Sequence, residues 1–397
     1  MQIGWIDYSK EERDKILSIF SMLSGQDTLD QLGIGGIRDA FSDMLFPGIS
    51  TQQRRAKYFV LLPYMFYDAL QEVQADKLHS GKEVREFFNN RENKIVNVLI
   101  NNSKRNAQGI VGSRDLIVDT KPSAMYWSGL KKLGILTEPS FSIDNVCSAI
   151  YGKGKLHSKT ERKNETEDSG ADDSDINNDG YVIFNSLKYQ YPYMKEASID
   201  LTFEEADFLL KRILYSEGTK DSALAFLLRN PHLLHKYSSF KEFDYHDFTG
   251  DLAEIVRLAH EFAEFIYGAH LLYNIIFADG CGAESDIVSR IKRDFERYCE
   301  NYKSPSIEEI IYRTKPNEKT REFIRLFDSD MTSGNIEKAK LDVLEREQNV
   351  KYNLSKLLRP AEYQFSKPIH YSRLSYRYDR ARDIMMDIVS GLGEKHE

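Results

Sequence analysis

The stretch Thr28–Leu70, TLDQLGIGGIRDAFSDMLFPGISTQQRRAKYFVLLPYMFYDAL, decides the fold class of this chain. Apolar residues at helical spacing run to Phe46 and stop at Pro47-Gly48. A second helix is expected at once behind a capping box, Ser50 with Gln53 three residues on. Its first turn would hold Arg54, Arg55 and Lys57, although the macrodipole favours acids there and disfavours cations. An outside anion, with phosphate foremost, would account for the three cations. So would solvated cationic heads over an inward face of Ala56, Tyr58 and Phe59.

The same helical period continues on both sides. Ser9 with Glu12 forms another capping box, opening a helix to about Met22, and residues 82–100 place Val84, Phe87, Phe88, Ile95, Val98 and Leu99 at helical spacing. A polar turn with Gly109 and Gly112 follows, carrying Lys104, Arg105 and Arg114. Residues 122–133 read as a short helix with Pro122 near its first position, Lys131 and Lys132 at its end and Gly134 as its stop. Ile135 and Leu136 then lead into a strand or wing, a cadence that suggests a winged-helix-like element.

Residues 152–180, GKGKLHSKTERKNETEDSGADDSDINNDG, have almost nothing apolar to offset the entropy of ordering. They are expected to be an acidic linker without helix or strand. An EF-hand loop counted from Asp172 fails, because its sixth position is Asn177 and its twelfth Ile183. Beyond the linker, residues 181–194 suggest extended structure at an edge, and Thr202 with Glu205 is a third capping box. Asp221 or Ser222 opens a helix that Pro231 ends, and residues 250–277 are the longest apolar-periodic run, the expected central helix of a second domain. Helices also fit 285–301, 306–313, 319–328 and 335–358. A final one carries the stripe Tyr376, Ile384, Met385, Ile388 and Leu392. The expected fold is mainly α and multi-helix, in two domains, 1–151 and 181–397, joined by the 152–180 linker.

With 397 residues, 41% of them hydrophobic, the chain can bury two or three cores. Its net charge of −8 excludes a globally basic nucleic-acid binder, but the charge is uneven. Residues 1–155 hold 20 Lys/Arg against 18 Asp/Glu, so any contact with nucleic acid must come from a local patch there. Cys147, Cys281 and Cys299 are odd in number and widely spaced, which suits a reducing compartment. The opening MQIGWIDYSKEER lacks the features of a signal peptide, and YFVLLPYMFYDAL is too short to span a bilayer. A cytoplasmic protein with no membrane partner is expected.

No P-loop, G-x-G-x-x-G, H-E-x-x-H, G-x-S-x-G or C-x-x-C occurs, so no catalytic residue, metal or cofactor is assigned. Minor candidates remain. Asp39 and Asp43 lie at i and i+4, as a metal-dependent nuclease would need, or as an exposed face with a local ion pair would provide. His232 and His235 are three apart, and His260 and His270 ten apart in the apolar run, where burial with hydrogen bonds is the simpler reading. Cys281 between Gly280 and Gly282 would suit a reactive thiol or a helix-ending loop. The stronger constellation is basic: Arg54, Arg55, Lys57, Lys104, Arg105, Arg114, Lys131 and Lys132 would converge on one backbone-binding surface if the N-terminal half is winged-helix-like. Near the C-terminus, Arg373, Arg377, Arg380 and Arg382 interleave with Tyr371, Tyr376 and Tyr378, either as a stacking surface or as a docking helix.

The motifs G-W-I-D-Y-S (Gly4–Ser9), L-G-I-G (Leu32–Gly35), I-R-D-A-F-S-D-M-L-F-P-G-I-S-T-Q (Ile37–Gln52) and R-A-K-Y-F (Arg55–Phe59) resemble an uncharacterised bacterial family, domain of unknown function 6361. The segments Ser123–Leu136, Leu201–Leu209 and Tyr376–Leu392 also fit it. The resemblance implies no activity or catalytic residue. It implies proteins encoded beside helicase, nuclease or modification genes in bacterial defence clusters. The expected function is therefore an accessory, DNA-associated subunit of a DNA-processing or anti-phage system. Such a subunit would bind a phosphate backbone and a partner enzyme. A scaffold that binds protein alone is the alternative, and a metal-dependent nuclease a minor one.

Overall fold

The computed structural model describes residues 30–103, 108–112, 121–164, 183–189 and 191–393, with the backbone alone for 156–164. The Ser9 box, Lys104, Arg105, Arg114 and most of the acidic stretch lie outside the described residues. The fold is mainly α, as the periodicity predicts, and among the described residues the only β pairing is an isolated antiparallel bridge between Leu136 and Phe184.

Two compact units partition the chain. One comprises Ser42–Ile255 with Ser375 onward, the other Val256–Leu374 with the described residues up to Phe41. The expected division at the acidic stretch does not coincide with this partition. Backbone hydrogen bonds explain why: Thr137 N–H donates to Ile183 O at 3.1 Å and Asn185 N–H to Ile135 O at 2.8 Å, so the chain beyond the stretch pairs with the chain before it. Residues 152–164, expected to lack secondary structure, are helical, because they continue a helix nucleated at Ile143. A helix already under way adds each residue without a new nucleation cost.

In the first unit, α1 (Gly35–Leu45), whose first turns belong to the other unit, gives way to a turn. Helices α2 (Tyr58–Gln74), α3 (Gly81–Asn102), α4 (Pro122–Lys132) and α5 (Ile143–Asn164) follow. The second helix thus begins at Tyr58 and not behind Ser50. Half of the expected box survives, with Ser50 N–H donating to Gln53 Oε1 at 3.3 Å. The Gln53 amide, however, reaches Gly48 O at 3.1 Å and Met125 O at 3.0 Å, and these bonds hold 51–57 as an irregular turn against α4. α2 is buried almost all round and packs on α3, α4 and α5.

The unit continues through α6 (Tyr193–Glu196), α7 (Phe203–Tyr215), α8 (Ala223–Arg229) and α9 (Pro231–Lys236). The Thr202–Glu205 box opens α7, Ser222 caps α8, and α15 (Tyr378–Leu392) packs its apolar stripe on α7 and α8.

The second unit is built on α10 (Gly250–Gly280), whose residues from Val256 to Ala278 are buried on nearly every side. Around it lie α11 (Asp286–Glu300), α12 (Ile307–Thr314), α13 (Glu318–Thr332) and α14 (Ile336–Lys351). α14 ends earlier than the sequence suggests, at Tyr352, which adopts φ 49°. Gly268 sits mid-helix because a Cβ there would fall 2.0 Å from the ring of Tyr298.

Candidate nucleic-acid interface

The turn that carries the basic cluster is knitted to α4 by Tyr126. Its hydroxyl accepts from the amides of Arg54 and Arg55, both at 3.1 Å, and donates to Arg55 O at 2.9 Å. Burial raises the Tyr126 hydroxyl to about 12. This anchoring turns Arg55 inward, where it is 7% exposed and bridges Asp387 and Asp200, each at 2.9 Å. Burial works against its charge, but the two carboxylates outweigh it and the guanidinium is held above its ordinary range. Lys57 is 1% exposed, 2.5 Å from Glu205 and 3.0 Å from the Tyr191 hydroxyl. Burial lowers its pKa despite Glu205. A buried cation with its partners already in place has no face to offer a phosphate. Arg55 and Lys57, expected at a phosphate surface, therefore belong to the interior of the unit, and only Arg54 of that trio is exposed.

Lys131 and Lys132 lie in the last turn of α4, where cations complement the macrodipole, and neither has an ion pair among the described residues. The end of α4 is capped from outside. Arg212 of α7 donates from Nε to Leu133 O at 3.1 Å and from Nη2 to Gly134 O at 2.7 Å, and Ser216 Oγ donates to Lys132 O at 3.0 Å. Asn185 Nδ2 adds a bond to Gly134 O at 3.0 Å. Gly134 takes φ 62° as the helix stop, and Gly218 is required because a Cβ there would meet Lys132 O at 2.4 Å.

The result is a groove of about 680 Å3 between the end of α4 and the end of α7. Lys131, Lys132, Arg212 and Tyr215 line it, and Tyr215 is 75% exposed. Its acid, Glu217, pairs with Lys220 at 2.6 Å. Burial lowers the Arg212 pKa. The groove combines uncompensated cations with an exposed aromatic face, the two elements by which single strands are held through phosphates and stacking. Sequence reasoning found the two lysines but missed Arg212 and Tyr215. Their only signal is the position of KRILY, a cation and an aromatic together in the last turn of that helix.

The remaining candidates fall elsewhere. Asp39 pairs with Arg38 at 3.2 Å, and Asp43, more than half exposed, with Arg377 at 3.0 Å. Among the described residues no group of three or more His, Cys, Asp or Glu is placed to hold a metal ion. His232 and His235 are exposed on α9. His270 is buried with its ring 5.0 Å from that of His370, and burial lowers its pKa to about 3. The Cys281 thiol donates to Pro360 O at 3.3 Å and burial raises its pKa, the reverse of a reactive thiolate. Tyr376 and Tyr378 are buried and cannot stack on a base. Arg377 and Arg380 bind the carbonyls of Ile49 and Thr51, and Arg373 pairs with Glu264.

Residues 1–161 match the family model described as Family of unknown function (DUF6361). The matched part contains the Gly4–Phe59 motifs, the anchoring Tyr126 and both groove lysines, while Arg212 and Tyr215 lie beyond it. No curated protein and no solved structure gives a significant match. No helix among the described residues is long and apolar enough to cross a membrane.

Proposed function

We propose that the protein is a non-catalytic accessory subunit of a bacterial DNA-processing or anti-phage system, resting on a nucleic-acid backbone through the groove at the ends of α4 and α7. The observation that carries this reading is the meeting of Lys131, Lys132, Arg212 and the exposed Tyr215 in one groove. The lysines supply phosphate contacts and Tyr215 a stacking platform for an unpaired base. In this reading α4 takes the place of a winged-helix module's helix, and the Leu136–Phe184 bridge that of its wing. The test is a titration of fluorescent single-stranded and duplex DNA with the wild type and with K131A/K132A and Y215A. The reading requires that both variants weaken binding to single strands. Wild-type affinity in both, or no binding by the wild type at low salt, ends it.

The protein-only scaffold is favoured by a different observation, a rigid apolar turn after α14. Tyr352, Leu354 and Leu358 are exposed there. Glu347, fully buried, accepts from the Ser355 hydroxyl and from Lys356 N–H at 2.9 Å, and Ser355 Oγ accepts from Leu358 N–H at 3.0 Å. A preformed turn presenting one aromatic and two aliphatic side chains suits a protein interface, since little entropy remains to be lost on docking. Mixing the protein with the products of its neighbouring genes on a sizing column separates the two readings. Under the scaffold reading Y352D/L358D abolishes co-elution and DNA is irrelevant to it.

A further inference from the structure

The second unit holds a cleft of about 780 Å3, within the range of small-molecule sites. One face of α10 contributes Glu261, Glu264 and Phe265, the end of α11 contributes Asp294, Arg297 and Tyr298, and the segment after it Tyr302 and Lys303. The walls are fixed before any ligand arrives. Tyr298 donates to Phe265 O at 3.2 Å, Ser306 N–H to Glu261 Oε2 at 2.8 Å, and Tyr302 and Ser304 to the two oxygens of Asp328 at 2.6 and 3.0 Å.

The charges in the cleft are unequally satisfied. Each acid is engaged: Glu261 with Arg257, Glu264 with Arg373, and Asp294 with the Tyr371 hydroxyl. Arg373 is further occupied by Tyr267, stacking 4.3 Å above its ring. Two cations at the mouth remain. Arg297, its side chain 75% exposed, reaches Asp294 only at 3.8 Å, and Lys303 is exposed with no ion pair among the described residues. Inside, the half-buried Tyr298 and Tyr302 line the cleft with aromatic rings.

We infer that this cleft binds a small ligand made of a flat ring bearing an anionic group, the ring against the tyrosines and the anion on Arg297 and Lys303. Rings stack favourably on aromatic faces, and an anion held by both guanidinium and ammonium gains charge-assisted hydrogen bonds. The inference is independent of the nucleic-acid reading, because no residue of the α4–α7 groove takes part.

The experiment is calorimetric titration of the full chain with AMP, adenosine, inorganic phosphate and 4-hydroxybenzoate, repeated on R297A/K303A after its melting temperature confirms folding. Saturable binding of AMP or of 4-hydroxybenzoate, weakened about tenfold or more in the double variant, is expected from the loss of charge-assisted contacts. AMP alone assigns the ring to a nucleotide, and 4-hydroxybenzoate alone to an aromatic acid. The inference is overturned if no probe binds, if adenosine or phosphate binds as tightly as the ring-bearing anions, or if the double variant binds as the wild type does.

Discussion

Lys57 Nζ lies 2.5 Å from the Glu205 carboxylate, with both side chains shut off from water, so a charge that the sequence places in the basic cluster is among the most enclosed in the fold. Breaking such a pair leaves one ion buried without its partner, at a cost of about 3–5 kcal/mol. Lys57→Met should therefore destabilise the protein strongly. The double variant K57M/E205Q should recover part of the loss, because no ion is then left unpaired and a neutral amide at 205 can still accept from Thr202 N–H. Urea midpoints of the three proteins decide it, and equal losses in single and double variants would contradict the pairing.

Arg55 and Lys132 should separate stability from binding. Arg55→Met removes the bridge between Asp387 and Asp200 and should lower the melting temperature while leaving the salt dependence of DNA affinity unchanged. Each single-strand phosphate contact contributes about 0.7 to the slope of log affinity against log salt, so K131A/K132A should flatten it by roughly 1.4. Its folding stability should stay near wild type, since neither lysine has an ion pair to lose. Equal slopes in the wild type and the double lysine variant would place the phosphate contacts elsewhere.

His270 makes stability depend on acid in a defined window. Burial, with His370 beside it, lowers its folded pKa to about 3, against an ordinary value near 6.5. As pH falls through about 6.5 the unfolded chain takes up a proton that the folded protein refuses, so stability is lost progressively down to about pH 3. The slope from this one group approaches 1.4 kcal/mol per pH unit. Urea unfolding of the wild type and H270L at pH 7, 6 and 5 should show the wild type losing stability faster, and parallel curves would show that His270 takes up its proton alike in the folded and the unfolded chain.

Gly268 and Tyr298 share one volume. A Cβ at position 268 would sit 2.0 Å from the tyrosine ring, so G268A forces that ring away, and overpacking of this kind costs roughly 1–3 kcal/mol. Tyr298→Ala carries its own cavity cost, but G268A added to it should cost little more. That non-additivity, read from thermal unfolding of the two single variants and the double, is the signature of a direct clash.

Local chemistry was legible in the sequence where both partners lie within a turn. The Thr202–Glu205 box, the Ser222 cap, Pro122 at the start of α4 and Gly134 at its end are all contacts over a few residues, and all occur. The turn at 51–57 was misread because its decisive partners are distant. Gln53 could cap locally, but Met125 and Tyr126 outbid that geometry, and Arg55 and Lys57 find Asp387 and Glu205, 332 and 148 residues away. Periodicity marks an inward face but says nothing of which cation meets which acid. Of the groove, Lys131 and Lys132 were legible, whereas Arg212 and Tyr215 reach it only through the packing of α7 beside α4.

The pairing of Ile135–Thr137 with Ile183–Asn185 bears on how the chain behaves when cut between them. Thr137 donates from both its amide and its hydroxyl to Ile183 O, at 3.1 and 3.0 Å, and Tyr189 and Tyr193 donate to the carboxylate of Asp68 on α2 at 2.8 and 2.6 Å. Lys57 and Glu205 add a buried ion pair between the same two stretches of chain. A protease site inserted between residues 170 and 175 should therefore be cleaved without separating the halves. The two fragments should co-elute from a sizing column in native buffer and part only in denaturant, with the melting temperature nearly retained. Fragments that separate in native buffer would mean that the 183–205 segment does not hold to α2 and α4, and the groove between α4 and α7 would lose its support.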